Sequence, residues 1–477
     1  MVSAPAMVVS VAAPSALPTA TASMRGPEGR TLPLQMPRRW GEHRWSGCGA
    51  GAFGGSAAAA ALLLGRRSRR AVGRRRGAGA GSAARRALAP KAPVEAPAAV
   101  GEMDDVERWY FSEYGRIVNH REMLEDVIRT QGFRKAIFQM CNDKVVLDIG
   151  CGSGILSLFA AQAGARRVIA VEGSPRTAAL AKEAARRNGF DDIITVVQGR
   201  LEDEATYRQV DELLRPFASS SGGGEVEKPP RVAEVIVSEW MGYMLVFENM
   251  YGTFAFARER WLAPSGSVIP ASCSVWAAPI SGAAIVKDLA GYWCSLPYGL
   301  DLGHVAAAAL EETFRRPVVE AVEEFRVLAK PRRLWRLDCE VAPATAVCSQ
   351  RHSFEFEVER KGPMHALAVW FKCGLAPNVG FSTGPTSGDS THWHQTLLFF
   401  GESGAPGEFA PRGQVPPEGM GALPGDRVTG ELAWTCEKRN MQVEVQGMLE
   451  KGGAGGQARY WGADYNWTLR PDDDPGT

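Results

Sequence analysis

The stretch Val145-Val-Leu-Asp-Ile-Gly-Cys-Gly-Ser-Gly154, followed at once by Ile155-Leu-Ser-Leu-Phe-Ala-Ala161, decides the fold. A short apolar run stops abruptly at alternating glycines, and a small-residue helical pattern begins. A buried parallel strand hands over to a helix in this way when a ligand lies across the turn. Glycine suits such a turn because a Cβ would occupy the ligand's space. The same signature also serves as a tight structural turn, so the surrounding chain has to choose between the two readings.

Strand and helix patterns recur downstream. Residues 167–172 form a second apolar strand, ending in Glu172, 22 positions beyond Gly150. A carboxylate at that place accepts hydrogen bonds from ribose hydroxyls. Ser174-Pro175 starts a helix and Asn188-Gly189 stops it. Residues 193–197 and 232–237 are the third and fourth strands, with a polar insertion at 218–230 between them. The order strand, helix, strand, helix, strand, strand predicts an α/β fold with a doubly wound parallel sheet, Rossmann-like, over residues 101–270. Right-handed crossovers in such a sheet put ligands at the carboxyl ends of the strands. The glycine loop, Glu172, Glu202 and Glu239 all fall there.

The ligand is legible in part. Gly150, Gly152 and Gly154 alternate, Ile155 follows, and the neighbouring charges are acids rather than phosphate-binding Lys or Arg. A dinucleotide fits this poorly; an adenosine cofactor without phosphates, S-adenosyl-L-methionine, fits well. Upstream, residues 109–114 and 120–130 read as two amphipathic helices, either covering the sheet or forming a lid with Arg129 as a carboxylate clamp. Downstream, Glu239-Trp-Met-Gly-Tyr-Met-Leu-Val-Phe-Glu248 puts two acids nine apart on a loop with Trp240, Tyr243 and Phe247 as walls. Two carboxylates among aromatics repel unless a cation lies between them, and a guanidinium fork satisfies both. Alternatively the two diverge, one capping a helix and one solvated.

Composition bounds the rest. The first 100 residues hold 15 Lys and Arg against three Glu, so the remaining chain carries 39 basic and 50 acidic residues, about −11. An acidic body suits a basic substrate through long-range steering. The tail 1–100, rich in Ala, Gly, Ser, Pro and Arg, has the composition of a disordered segment. It reads as a solvated tail, an organelle transit peptide, or a nuclear address or nucleic-acid arm built on Arg66-Arg67-Ser-Arg69-Arg70 and Arg74-Arg75-Arg76. Nucleus or cytoplasm is the expected location, with organelle targeting as the alternative. Nine cysteines without a C-x-x-C pair suggest neither a disulfide framework nor a zinc site. No apolar run approaches the roughly 20 residues that span a bilayer. Membrane attachment, a metal and a specific nucleic-acid partner are therefore not expected. From about residue 271 short alternating strands predict an antiparallel β-barrel to residue 477, with a helical excursion at about 285–327.

The chain resembles the protein arginine N-methyltransferases from about Trp109 to the C-terminus. The resemblance is carried by Tyr110-Phe-Ser-Glu-Tyr114, His120-x-x-Met-Leu124, Val127-Ile-Arg129-Thr, the glycine loop, Ser238-Glu-Trp-Met-Gly-Tyr243 with Glu248, and Thr391-His-Trp393. It implies cofactor binding by Tyr114, His120, Arg129, Asp148, Gly150, Cys151, Gly152, Gly154, Glu172, Leu201, Glu202 and Glu239. It implies catalysis by Glu239 and Glu248, and a substrate pocket of Tyr110, Met123, Trp240, Met250 and Trp393. Met123 and Met250 stand where asymmetric-dimethylating (type I) members carry methionines. His392, paired with Asp126, is either a proton acceptor or a structural histidine; His394, two residues on in a strand pattern, shares its face. The implied activity is transfer of methyl groups to arginines of proteins such as histones and Arg/Gly-rich proteins, giving mono- and asymmetric dimethylarginine; the alternatives are a small-molecule S-adenosyl-L-methionine-dependent methyltransferase and a non-catalytic cofactor-binding scaffold. The implied assembly is a homodimer docked through the helical arm. Asn119 and Gly173-Ser-Pro175 depart from the family pattern without removing a reacting group.

Overall fold

The computed structural model describes residues 105–218, 229–453 and 457–468. The expectations for residues 1–100, and for the insertion around residues 219–228, lie outside these described residues. Three helices come first: α1 (Asp105–Tyr114), α2 (Ile117–Glu125) and α3 (Val127–Met140). Then β1 (Val145–Ile149), α4 (Ile155–Gln162), β2 (Arg167–Glu172), α5 (Pro175–Arg187), β3 (Ile194–Gln198), α6 (Glu204–Leu214), β4 (Ala233–Val237), α7 (Tyr251–Trp261) and β5 (Leu262–Ile269) alternate. The five strands form one parallel sheet in the order β3-β2-β1-β4-β5. All five residues of β1 are buried, which is why it reads as a continuous apolar run rather than an alternating one.

Helices α6 and α7 and strand β5 have no counterpart among the sequence expectations, and the single helix expected over residues 120–130 is broken at Asp126 into α2 and α3. The expected direct passage from the third to the fourth strand is wrong: α6 makes the crossover that parallel neighbours need. Its buried face is Thr206, Val210, Asp211 and Leu214, and the polar Asp211 disguises it. Asp211 accepts from the Trp261 indole at 2.7 Å and pairs with Arg260, so a buried carboxylate serves there as a packing residue. Strand β5 contains Pro264 and Gly266, residue types that disfavour a strand interior. It lies at the sheet edge, where proline removes no ladder bond that matters.

From β6 onward the chain is antiparallel. The order is β6 (Ser272–Ile280), α8 (Ala283–Cys294), α9 (Val305–Phe314), β7 (Val318–Glu320), β8 (Arg332–Asp338), β9 (Ser349–Glu357), β10 (Gly362–Met364), β11 (Ala366–Ala376), β12 (Val379–Ser382), β13 (Gln395–Phe399), β14 (Gly401–Ser403), β15 (Met420–Ala422), β16 (Arg427–Glu437), β17 (Asn440–Glu450) and β18 (Ala458–Thr468). One sheet runs β7-β13-β11-β6-β8, with β12 also on β11; the other runs β14-β18-β17-β16-β9. Their inner faces meet through rings such as Phe400 on Trp461 (4.1 Å) and Trp335 on Trp434 (5.7 Å), giving a barrel-like core.

The helical excursion is shorter than expected. It is the hairpin α8–α9, and residues 318–320 return as β7, paired with β13. The base of the hairpin is anchored by Phe314 stacked on Phe399 at 4.0 Å. Its tip leaves Tyr292, Leu296, Tyr298 and Leu300 exposed. Among the described residues no helix is long and apolar enough to cross a membrane.

Candidate active site

At the carboxyl ends of β1, β2 and β4 a cavity is lined by the glycine loop, by α1 and α2, and by the loop between β4 and α7. Gly150 and Gly152 have φ of 72° and 53°, the left-handed region that glycine tolerates. A Cβ on Gly150 would meet nothing within 4 Å, so its backbone faces open space where a ligand can approach. A Cβ on Gly152 would press to 2.9 Å on the His120 ring. Glu172 closes the loop from β2: its Oε2 accepts the Gly152 N–H at 2.8 Å, and its Oε1 accepts the Ser174 N–H at 2.8 Å and the Thr177 hydroxyl at 3.1 Å. A carboxylate held this rigidly keeps spare lone pairs for ribose hydroxyls. No Lys lines the cavity among the described residues, Arg129 and Arg200 pair with the carboxylates of Glu239 and Glu107, and Arg439 donates to the Glu248 carbonyl, so the donor set suits an adenosine lacking phosphates.

The lid reading of α1 has a physical basis. Gly173 is required because the Phe111 ring lies 2.4 Å from where its Cβ would be. Glu107 of α1 also pairs with Arg200 at 3.0 Å. His120 binds the Tyr114 carbonyl at 2.8 Å, and Asn119 donates to the Glu113 carbonyl at 2.9 Å, fixing the α1–α2 corner. Asn119 and Gly173, the two departures noted in the sequence, thus both serve lid packing.

Opposite the glycine loop, the Glu239–Glu248 segment is bent by three non-glycine residues at positive φ: Met244 (50°), Leu245 (75°) and Asn249 (52°). Such strain persists only when neighbours over-determine it. The barrel supplies them. Tyr243 and Phe247 stack on Trp467 at 5.9 and 4.1 Å. Asn249 donates to the Lys438 carbonyl at 3.0 Å, and the Trp393 indole donates to the Met241 carbonyl at 3.1 Å. Glu239 and Glu248 both face the cavity. Arg129 grips the Oε2 of Glu239 through Nη2 at 2.7 Å and Nε at 3.2 Å, with both side chains nearly inaccessible. Glu248 accepts the Tyr110 hydroxyl at 3.1 Å. Burial, with the Glu239 charge nearby, pushes the Glu248 carboxyl up to about 7, although the Tyr114 and Tyr110 hydroxyls and the Arg439 guanidinium pull the other way.

His392 also reaches the cavity, and behind it Asp126 accepts its Nδ1–H at 2.7 Å and its backbone N–H at 3.0 Å. The other Asp126 oxygen caps α3 through the Arg129 N–H at 2.9 Å. Burial alone would raise the Asp126 carboxyl, but the hydrogen bonds from His392 and Arg129 outweigh it and hold it below its ordinary range. An ionised Asp126 selects, for the neutral imidazole, the tautomer with its proton on Nδ1, in which Nε2 is the acceptor. Asp126 sits behind His392 and does not itself line the cavity. His394 does not share that face: it has φ of 44°, bonds Ser390 at 3.2 Å, and belongs to the turn before β13.

Tyr110, Tyr114, His120, Met123, Arg129, Gly150, Cys151, Gly152, Glu172, Leu201, Glu202, Met250 and Trp393 line the cavity too. Besides Asp126, three named residues do not. Asp148 is buried beneath the loop, bonded to Ser157 at 2.6 Å, and desolvation pushes its carboxyl up to about 7. Gly154 packs against α5, where a Cβ would meet Ala181 at 3.2 Å. Trp240 points into the core against Tyr251 at 4.9 Å; Tyr243 and Phe247 likewise face Trp467 rather than walling the pocket. The Arg129 fork, expected on a ligand carboxylate, is engaged mainly by Glu239. The sequence reading missed Arg439, in the β16–β17 turn. It donates to the Glu248 carbonyl at 2.6 Å and lies over the Tyr110 ring at 4.1 Å. Its local sequence, Glu437-Lys-Arg-Asn440, resembles any charged hairpin tip.

Comparison with known proteins agrees with this geometry. Residues 271–405 match the family described as "Arginine methyltransferase oligomerization subdomain", and residues 134–214 match "Ribosomal protein L11 methyltransferase (PrmA)". Protein arginine N-methyltransferase 1 of Oryza sativa is 34% identical over 339 residues, 70% of this chain and 76% of the relative. Protein arginine N-methyltransferase 1 of Saccharomyces cerevisiae is 31% identical over 370 residues, 75% of this chain and 93% of the relative. Among solved structures, the Trypanosoma brucei PRMT1 enzyme–prozyme heterotetrameric complex with AdoHcy aligns at a TM-score of 0.56 with 26% identity, covering 74% of this chain and 99% of that one. The chain belongs to the protein arginine N-methyltransferase family, and it is an S-adenosyl-L-methionine-dependent enzyme acting on arginines of proteins.

Proposed function

We propose that the enzyme yields monomethyl- and asymmetric dimethylarginine, that Glu239 and Glu248 hold the substrate guanidinium between them, and that it acts as a homodimer on Arg/Gly-rich and histone-like proteins. The observation that carries this reading is the strained loop that turns both carboxylates into the cavity of the glycine loop. When bound, S-adenosyl-L-methionine supplies an electrophilic methyl on a cationic sulfur. A guanidinium, with a pKa near 13.8, is a poor nucleophile because its lone pairs are delocalised. Glu239 and Glu248 draw positive charge onto the two nitrogens they hold and leave the third free to face the methyl. Orientation and preorganised electrostatics then supply most of the catalysis. Arg129 fixes Glu239, Tyr110 fixes Glu248, and Nε2 of His392 is the acceptor for the departing proton.

Met123 and Met250, one on the lid and one just past Glu248, shape the pocket as in the type I relatives the sequence resembles. The net charge of about −11 beyond residue 100 favours basic protein substrates. The exposed tip of the α8–α9 hairpin, inside the matched oligomerisation subdomain, supports a homodimer. The test is incubation with labelled S-adenosyl-L-methionine and an Arg/Gly-rich peptide, followed by hydrolysis and product analysis. Monomethyl and asymmetric dimethylarginine are expected; symmetric product, or monomethyl alone, would overturn the reading.

The titration of Glu248 gives a second expectation. A carboxyl that keeps its proton up to about pH 7 cannot clamp a cation below that pH. The kcat/KM for an arginine peptide should rise about tenfold per unit up to roughly pH 6.5 and flatten above roughly pH 8. A profile flat from pH 5.5 to 8.5 would remove Glu248 from the binding step.

A further inference from the structure

A second polar groove lies on the outer face of the β8-β6-β11-β12 sheet, lined by Arg333, Arg336 and Lys372 with Ser272, Ser274 and Ser382. The register makes a continuous row: Arg336 opposite Ser274, Ser274 opposite Lys372, Lys372 opposite Ser382. At about 4.8 Å between strands the row spans about 14 Å, the length of roughly four extended residues. Every member of it is a hydrogen-bond donor. The three cations have no carboxylate partner among the described residues, whereas Arg351, Arg427 and Arg459 on the other sheet each pair with glutamate. Asp338, at the end of β8, accepts the Glu340 N–H at 3.1 Å and turns toward that corner.

We infer that this groove docks an acidic segment of the protein substrate, a second contact distinct from the arginine being methylated. Cations without a carboxylate partner, in a body of net charge about −11, do not attract an arginine-rich chain; they complement Asp and Glu. A nucleic acid is disfavoured on two counts. The acidic surroundings repel a long polyanion, and the Lys372 ammonium lies 4.1 Å over the Trp276 ring, covering the π face that a base would stack on. The groove is also close to the active site in the fold. Phe381 of β12, beside Ser382, stacks on Trp393 at 5.7 Å, so the groove lies behind the wall that carries His392 and Trp393.

The inference rests on protein arginine methylation as the activity, and its test separates the two. Two peptides share one Arg/Gly target; one of them continues through a flexible linker into a stretch of Asp and Glu. Turnover of the plain peptide tests the activity, and the ratio of the two KM values tests the groove. The tailed peptide should show a KM at least about 5-fold lower at 50 mM salt, with the advantage lost at 0.5 M salt. In the Arg333→Gln, Arg336→Gln, Lys372→Gln triple variant the advantage should vanish while kcat on the plain peptide is unchanged. Equal KM values in the native protein, or an advantage that survives in the folded triple variant, would overturn the inference. So would binding of single-stranded RNA lost in the triple variant without any effect of the acidic tail. The salt comparison needs no variant, so the outcome does not depend on how the triple variant folds.

Discussion

Replacing Glu248 with Gln should lower kcat on an arginine peptide by about 10²–10³-fold, the effect of removing one preorganised electrostatic partner. Gln keeps the shape and can still accept the Tyr110 hydroxyl, so the loop should survive. What it removes is the charge that holds one guanidinium nitrogen. Stability distinguishes this loss from misfolding, and the sign follows from the titration. The Glu248 carboxyl is raised in the folded state, so the folded protein binds this proton more tightly than the unfolded chain. Its contribution to stability is therefore present at low pH and lost as pH rises from about 4.5 through about 7. Without ligands, Glu248→Gln should match the native protein near pH 4.5 and exceed it by about 1–3 kcal/mol at pH 8. Urea unfolding at both pH values checks this. A variant less stable at pH 8 would show that Glu248 is structural.

The second large effect concerns Arg129. Its pair with Glu239 is nearly inaccessible, 6% and 10% exposed, and it also donates to the Met123 carbonyl at 3.1 Å, tying α2 to α3. Removing one member of a buried pair leaves an uncompensated charge, at a cost of about 3–5 kcal/mol. Arg129→Met should therefore lose stability by that amount at pH 8 and lose cofactor binding with it. The double variant Arg129→Met, Glu239→Met should regain most of the stability, because the stranded charge is gone, yet remain inactive. If Arg129→Met is as stable as the native protein in urea, the pair does not hold Glu239 in place.

These two residues show what the sequence made legible and what it did not. The parallel sheet was readable because β1, β2 and β4 are buried runs ending at a glycine turn or an acid. The glutamates were readable because they follow a strand end at a spacing that suits a guanidinium. The loop's exact walls were not. Alternation at the end of β4 sends Glu239 to the cavity and Trp240 to the core, and Tyr243 and Phe247 find Trp467, more than 200 positions away in sequence. Contacts of that range leave no local pattern, and the same holds for Arg439. Asp148 and Gly154 belong to the motif but serve the loop from behind, through Ser157 and Ala181. Helix α6 was hidden because a buried acid, Asp211, breaks its apolar face.

The most direct test of the guanidinium clamp is the proton balance of substrate binding. With the demethylated cofactor bound, titration calorimetry of an arginine peptide in buffers of different ionisation enthalpy counts the protons released. A substrate cation that converts Glu248 from carboxyl to carboxylate should release about half a proton at pH 7 and almost none at pH 9. Glu248→Gln should release none at either pH. Binding without proton release at pH 6–7 in the native protein would contradict the account.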